Sequence, residues 1–268
     1  MLNISLSTGG MYSYDYIEVF DMISKTSCKY IELFMTNIPK EISLSVLVNE
    51  IEKKDLTVHS IHTPLDSFLL PDEYECYWIN KCIDLAKAVD AKLITTHIVK
   101  KEENGIKINI DNEHKKNLIK FAENDIIVCT ENLPIKTDES QADSFLRNYT
   151  KLKDFLDEYG VFMTFDTTHW ASTNTPLIEG YDFFKDHIRN IHISDYLDGI
   201  EHLPLGTGNL QFNELLYKLH EDNYQYPITI ELDLVSEDRK PLENKEEMIN
   251  ALNISLDFIY NSLKYDGD

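Results

Sequence analysis

Short runs of apolar and β-branched residues recur along the chain, and their starts are separated by roughly 26 to 40 residues. That spacing is about the length of one strand followed by one helix. We therefore predict eight β-strands, at residues 2–7, 30–34, 56–62, 92–99, 125–131, 161–166, 188–193 and 228–232.

Between these runs, apolar residues recur at helical spacing, as in Tyr16, Phe20 and Ile23, or in residues 73–89. Further helices are predicted around residues 44–51, 145–156 and 248–259. Eight strands that alternate with about eight helices predict the α/β class and a (β/α)8 TIM barrel. No shift in composition divides the chain, so we expect one domain over residues 1–268.

A doubly wound open sheet is the rival fold, but it often carries a glycine-rich phosphate turn after its first strand. The Gly9–Gly10 pair follows the first predicted strand and does not match that GxGxxG pattern. The polar stretch at residues 100–116 is expected to be a long loop with room for a short hairpin.

Composition and charge exclude some classes of protein. No stretch approaches the ~18 consecutive apolar residues of a membrane-spanning helix. The first ten residues lack the features of a secretory signal, so a cytoplasmic location is expected. With 25 Lys and Arg against 47 Asp and Glu, the net charge is 25 − 47 = −22, which disfavours a nucleic-acid partner.

The cysteines add no chemistry of their own. Cys28, Cys76, Cys82 and Cys129 form no CxxC pair and have no dense spacing. We expect reduced and mostly buried thiols, without a disulfide framework or a zinc–cysteine site.

Histidines and acidic residues occur where the predicted strands end, which is the active-site end of a (β/α)8 barrel. Any one of them alone would more simply be a hydrogen-bonded core histidine or part of an ion pair. Their joint placement predicts a site for a divalent metal, because a cation compensates converging carboxylates and imidazoles. The candidate ligands are His62, His97, Glu131, Asp166, His169, His192, His202 and Glu231.

Two more residues are candidates for the substrate side of the site. Trp170 follows His169 and can form an apolar wall against a sugar ring, with core packing as the alternative. Glu32 on the second strand can point inward behind the ligands, with a structural ion pair as the alternative. His59 lies three residues before His62, so the alternation of side chains along a strand turns it toward the helices.

The strand-end motifs are similar to those of the xylose isomerase-like TIM-barrel superfamily, which holds sugar isomerases, epimerases and endonuclease IV-type (AP endonuclease family 2) nucleases. The motifs are E-N, D-T-T-H, H-I-S-D, H-L-P-L-G-T-G-N and I-E-L, after or on strands five to eight. The epimerase branch implies one Mn²⁺ or similar ion on Glu131, Asp166, His192 and Glu231. It also implies that Glu131 and Glu231 act as acid and base and that His169 contacts the substrate.

The nuclease branch implies three zinc ions on nine ligands, and the eight candidate ligands match eight of these nine positions. The ninth position is an aspartate in that branch and Ile200 in this chain. The epimerase branch carries an arginine shortly after the histidine of strand seven, and residues 196–199 contain none.

Three functions remain open from the sequence. The first is a metal-dependent isomerase or epimerase of a small sugar, polyol or sugar phosphate, using one Mn or Zn ion. The second is a zinc phosphodiesterase of the apurinic-site type with two or three ions, and the third is an inactive metal-binding barrel. The acidic charge favours the first, since the expected mouth loops offer few cations: Lys100, Lys101, Lys107, Lys136, Arg239 and Lys240. The oligomeric state is left open, a homo-oligomer included.

Overall fold

The computed structural model describes residues 2–64, 72–97, 121–134, 149–237 and 241–263. Eight parallel strands close into a barrel: β1 (Asn3–Ser7), β2 (Tyr30–Phe34), β3 (Thr57–His62), β4 (Leu93–Thr96), β5 (Ile127–Glu131), β6 (Phe162–Asp166), β7 (Ile188–Ile193) and β10 (Pro227–Ile230). Their order around the barrel is β1, β10, β7, β6, β5, β4, β3, β2. The predicted (β/α)8 barrel is confirmed.

Helices in the described residues alternate with the strands and surround the barrel. They are α1 (Tyr16–Ser24), α2 (Leu44–Lys53), α3 (Asp72–Val89), α4 (Tyr149–Tyr159), α5 (Thr167–Ala171), α6 (Leu177–Phe184), α7 (Phe212–Glu221) and α8 (Lys245–Ser262). Asp15 and Glu18 form a capping box that fixes the start of α1. Asn244 accepts a hydrogen bond from the backbone N–H of Glu247 and so caps α8.

The structure corrects the prediction at three places. The fourth strand ends at Thr96 and the eighth at Ile230, so Glu231 lies just after its strand. A short antiparallel hairpin, β8 (Asp195–Leu197) and β9 (Ile200–Leu203), follows β7 and was not predicted.

The loop at residues 100–116 and the six expected mouth cations lie outside the described residues.

Two kinds of side chain fill the two sides of the barrel wall. Apolar residues such as Leu6, Ile31 and Ile61 belong to the hydrophobic core that the helices cover. The barrel interior instead holds a layer of polar side chains that are wholly buried: Ser5, Glu32, Ser60, Thr95, Thr164, Asn190 and Thr229. Hydrogen bonds join the members of this layer, as buried polar groups require.

Most of the cysteines are buried, as expected. All four are free, and Cys28, Cys82 and Cys129 are buried, while Cys76 is half-buried. Burial raises the pKa of the Cys82 thiol to about 12, so it is protonated at neutral pH. No helix in the described ranges is long and apolar enough to cross a membrane.

Candidate metal centre

The central group of the site contains Glu131, Asp166, His192 and Glu231. One ligand atom from each lies within 4.8 Å of the others. Glu131 and Asp166 are the last residues of β5 and β6, His192 lies near the end of β7, and Glu231 directly follows β10. Parallel strands all end at the same rim, which is why residues so distant in sequence converge there.

Two further groups flank this centre and share ligands with it. His62, His97 and Glu131 form one, with His97 Nε2 2.7 Å and His62 Nε2 3.4 Å from Glu131 Oε2. Asp166, His169 and His202 form the other. All eight candidate ligands therefore meet at one mouth of the barrel.

Backbone groups fix how several of these side chains point. His62 Nδ1 lies 2.6 Å from the carbonyl oxygen of Thr63, and a proton donated there leaves Nε2 free to face Glu131. His169 Nδ1 lies 2.8 Å from the carbonyl oxygen of Asn132. Asp166 Oδ1 accepts hydrogen bonds from the Thr168 hydroxyl and the His169 backbone N–H.

Several buried polar atoms of the central group have no hydrogen-bond partner among the described residues. They are Glu131 Oε1, Asp166 Oδ2 and both ring nitrogens of His192, of which Nδ1 has only ion-pair contacts with Glu131 and Glu231. An unsatisfied buried polar atom costs about 1–3 kcal/mol, so a group of them facing one point calls for a ligand. Oxygen and imidazole donors without a thiolate suit Mn²⁺, Zn²⁺, Fe²⁺ or Mg²⁺, and the residues thus fit a divalent cation.

The charges of the metal-free site balance one another. Burial alone would lower the pKa of His169, but Asp166 and Glu131 raise it to about 10. Burial also opposes the charge of His192, yet Glu231, Glu32 and Glu131 raise its pKa well above the usual value. In the opposite sense, His192 and His97 hold the pKa of Glu131 well below its usual value in spite of burial. A bound cation would take the place of these protons.

Glu32 is wholly buried behind His192 and does not line the mouth cavity. Its Oε1 lies 2.9 Å from His192 Nε2. Its other oxygen accepts hydrogen bonds from Ser60 and Asn190. Glu32 is therefore corrected as a substrate-side residue, and its carboxylate lies behind a candidate ligand, as an inward-pointing side chain was expected to do.

Trp170 is a packing residue, which corrects its expected place on the substrate wall. It is 2% exposed and contacts Phe165 and Phe184 with ring centroids 5.5 and 6.3 Å away. Its indole N–H donates to the carbonyl oxygen of Thr175. The short helix α5 turns the side chain after His169 away from the mouth and toward α6.

A cavity of about 290 Å³ opens above the ligands. Its walls include residues that the sequence did not single out: Tyr12, Phe34, Glu201 and Asp233. Phe34 ends β2 and packs on His62, with ring centroids 4.5 Å apart, so its strand-end position was the available signal. His59 does not line this cavity, as predicted, and its ring stacks on that of Tyr30.

The unpredicted hairpin carries His202 into the mouth. Asp195 anchors the returning chain by accepting hydrogen bonds from the backbone N–H groups of Gly206, Gly208 and Leu210. His202 has a φ of 57°, an uncommon conformation for a residue with a Cβ. Ile200 begins β9 and offers no ligand atom, so the ninth nuclease position is apolar here.

The sequence model of the protein family described as xylose isomerase-like TIM barrel matches residues 14–253 of this chain. The chain belongs to the xylose isomerase-like TIM-barrel family. It is 25% identical over 283 residues to the uncharacterized protein MJ1188 of Methanocaldococcus jannaschii, covering 97% of this chain and 98% of that one.

Solved structures share the fold of this chain. D-psicose 3-epimerase from Clostridium cellulolyticum H10 superimposes with a TM-score of 0.75 at 12% identity, covering 98% of this chain and 99% of that one. AP endonuclease family 2 from Brucella melitensis gives 0.68 at 15% identity, covering 92% and 96%. At such low identity these likenesses show the architecture and leave the reaction open.

Proposed function

We propose that this protein is an isomerase or epimerase that depends on a divalent metal and acts on a small sugar, polyol or sugar phosphate. The observation that carries the proposal is the central group, in which Glu131, Asp166, His192 and Glu231 bring four ligand atoms within 4.8 Å of one another. The likeness of the fold to sugar epimerases supports it.

The four residues would hold one cation at the floor of the cavity. When bound, the cation would polarise a carbonyl or hydroxyl oxygen and stabilise the charge of an enediolate. Glu231 is partly open to the cavity and is suited to remove the proton next to the substrate carbonyl. By the family resemblance, Glu131 returns a proton on the other face, and His169 contacts a substrate hydroxyl.

The cavity walls suit a polyol. Phe34 and Tyr12 offer aromatic surface, while Glu201 and Asp233 offer carboxylate oxygens that accept hydrogen bonds from hydroxyl groups. We name no single sugar, because specificity in this fold depends on the shapes of the mouth loops.

A zinc-dependent phosphodiesterase of the apurinic-site type is the second candidate. The two flanking groups favour it, since three adjacent groups that share Glu131 and Asp166 can hold more than one ion. Against it stand the net charge of −22 and the apolar Ile200 at the place of the ninth ligand.

Elemental analysis together with two assays decides between the candidates. The protein is stripped with EDTA, reloaded with Mn²⁺ or Zn²⁺, and incubated in D₂O with a panel of ketoses and their phosphates. Deuterium incorporation at the carbon next to the carbonyl, seen by NMR, supports the isomerase. Cleavage of a duplex with an abasic site, abolished by EDTA, would replace it with the nuclease.

A pair of histidine variants ties the result to the site. His192→Gln removes a ligand of the central group and is expected to abolish both cation binding and turnover. His59→Gln removes a half-buried histidine outside the mouth and serves as the matched control. Equal loss in the two variants would contradict a role for the central group.

A further inference from the structure

Glu32 is a carboxylate that the proposed chemistry does not use, although it lies in the barrel interior directly beneath the metal centre. We propose that Glu32 is a positioning residue: it fixes the ring orientation and tautomer of His192 and so sets the affinity of the site for its cation. This inference rests on the proposed metal-dependent function and adds a residue that acts through a ligand.

The two nitrogens of His192 face opposite carboxylates. In ion-pair contacts that lack the angles of a hydrogen bond, Nε2 lies 2.9 Å from Glu32 Oε1, while Nδ1 lies 2.8 Å from Glu231 Oε2 and 3.4 Å from Glu131 Oε1. A neutral imidazole carries one N–H, and an ionised carboxylate only accepts. A proton on Nε2, facing Glu32, therefore leaves the lone pair of Nδ1 directed at the central group, where a cation would lie.

Glu32 is itself held so that it cannot turn away. Its Oε2 accepts hydrogen bonds from the Ser60 hydroxyl at 2.7 Å and from Asn190 Nδ2 at 2.9 Å. The Asn190 side chain is fixed in turn by the Thr229 hydroxyl, which donates to its Oδ1. These donors come from β3, β7 and β10, so the barrel wall itself sets the direction of the carboxylate.

The position of Glu32 separates it from the reacting groups. It is wholly buried, it is absent from the cavity wall, and His192 lies between it and Glu131. A buried ion pair is often replaced by apolar residues without loss of stability, so stability alone is a weak reason for this charge. Orientation of a metal-bound histidine by a carboxylate is a recurring arrangement that changes cation affinity.

The first test is cation affinity in Glu32→Gln, measured by calorimetric titration with Mn²⁺ alone and with Zn²⁺ alone. Loss of the negative charge behind the ring is expected to weaken binding about 10- to 100-fold. The control is Thr164→Val in the same buried layer. Its hydroxyl lies 2.9 Å from that of Thr95, which reaches Glu32 only at 3.5 Å, and Thr164 does not line the cavity. The control is expected to lose stability and to keep its affinity within about twofold, because no ligand is reoriented.

A second variant and an NMR measurement cover the case in which Glu32→Gln folds poorly. Ser60→Ala removes one hydrogen bond to the Glu32 carboxylate and keeps its charge, so a smaller loss of cation affinity is expected. In the Zn²⁺-loaded wild-type protein, ¹⁵N NMR of the histidine rings is expected to show His192 protonated at Nε2. A proton on Nδ1 would overturn the proposal, as would unchanged cation affinity in Glu32→Gln.

The outcomes also separate this inference from the proposed function. A wild-type protein that binds neither cation would overturn both. If the wild-type protein binds a cation and Glu32→Gln binds it equally tightly, only the role of Glu32 is overturned. Cation binding that depends on Glu32, without turnover of any sugar in the panel, would support the inference and contradict the isomerase.

Discussion

His192 Nδ1 and Glu231 Oε2 lie 2.8 Å apart at the end of two neighbouring strands. In the register of β10 and β7, Thr229 pairs with His192 and Ile230 with Ile193. Glu231 follows directly and donates its backbone N–H to the Ile193 carbonyl. The pairing of two strands therefore sets the place of a candidate ligand and of the expected catalytic base together.

Glu231→Gln is expected to lower turnover by about 10²- to 10⁴-fold, because the amide cannot accept the substrate proton. The Glu231 side chain is 14% exposed at the rim, so the melting temperature is expected to change by only a few degrees. Rates of deuterium exchange and thermal unfolding check the two parts. Glu214→Gln, on the exposed face of α7, is the control. Turnover like that of wild type would remove Glu231 from the mechanism.

Binding of a cation is expected to release protons and to strengthen as pH rises. Without metal, neighbouring carboxylates raise the pKa of His62, His169 and His192, so protons occupy nitrogens that a cation needs. Titration calorimetry in buffers of different ionisation enthalpy measures the release. Binding without proton release would contradict the charge balance of the site.

The same pKa shifts are expected to make the metal-free protein less stable as pH rises. A histidine whose pKa is raised on folding contributes stability that is fully present below its unfolded value of about 6.5. That contribution is lost as pH rises through the folded pKa, which for His169 is about 10. Urea unfolding in EDTA is therefore expected to show falling stability between these values. A rising stability over this window would mean that the histidines are neutral in the metal-free protein.

The barrel and the convergence of the eight candidate ligands could be predicted from the sequence because both follow from periodicity. Strand runs recur at the spacing of a βα unit, and side chains at strand ends must share one rim. His97 and His202 were found in this way, although His97 lies just after β4 and His202 lies on the hairpin strand β9. The geometry of the hairpin was not accessible, because its strands have three and four residues and its anchor is a buried Asp195.

Two side chains were misplaced for the same physical reason, that of direction. Trp170 follows a ligand in sequence, but helix α5 begins at Thr167 and rotates each successive side chain by the helical period. Glu32 was correctly predicted to point into the barrel. Whether such a residue contacts a substrate or a candidate ligand depends on how far below the rim of the barrel it lies. Neither rotation nor depth is visible in residue spacing alone.

Gly10 is expected to tolerate no side chain. A Cβ at this position would overlap the carbonyl oxygen of Leu232, which directly follows Glu231. Gly10→Ala must therefore displace the backbone beside a ligand, and we expect lower stability together with weaker Mn²⁺ binding. Gly160→Ala is the control, since it meets no atom within 4 Å and costs only about 1–2 kcal/mol for its positive φ. Equal effects of the two variants on Mn²⁺ affinity would contradict this close approach.

Trp170→Ala tests the packing role that replaces the expected substrate contact. The side chain is buried between β6 and α6, and Gly180 lies so close that an added Cβ would meet the indole ring. Truncation of a buried aromatic leaves a cavity, so the free energy of unfolding is expected to fall by about 3–5 kcal/mol. Phe183→Ala, on α6 with a ring that is 42% exposed, is expected to cost much less. Urea unfolding measures both, and an unchanged stability of Trp170→Ala joined to a raised KM would return Trp170 to the substrate wall.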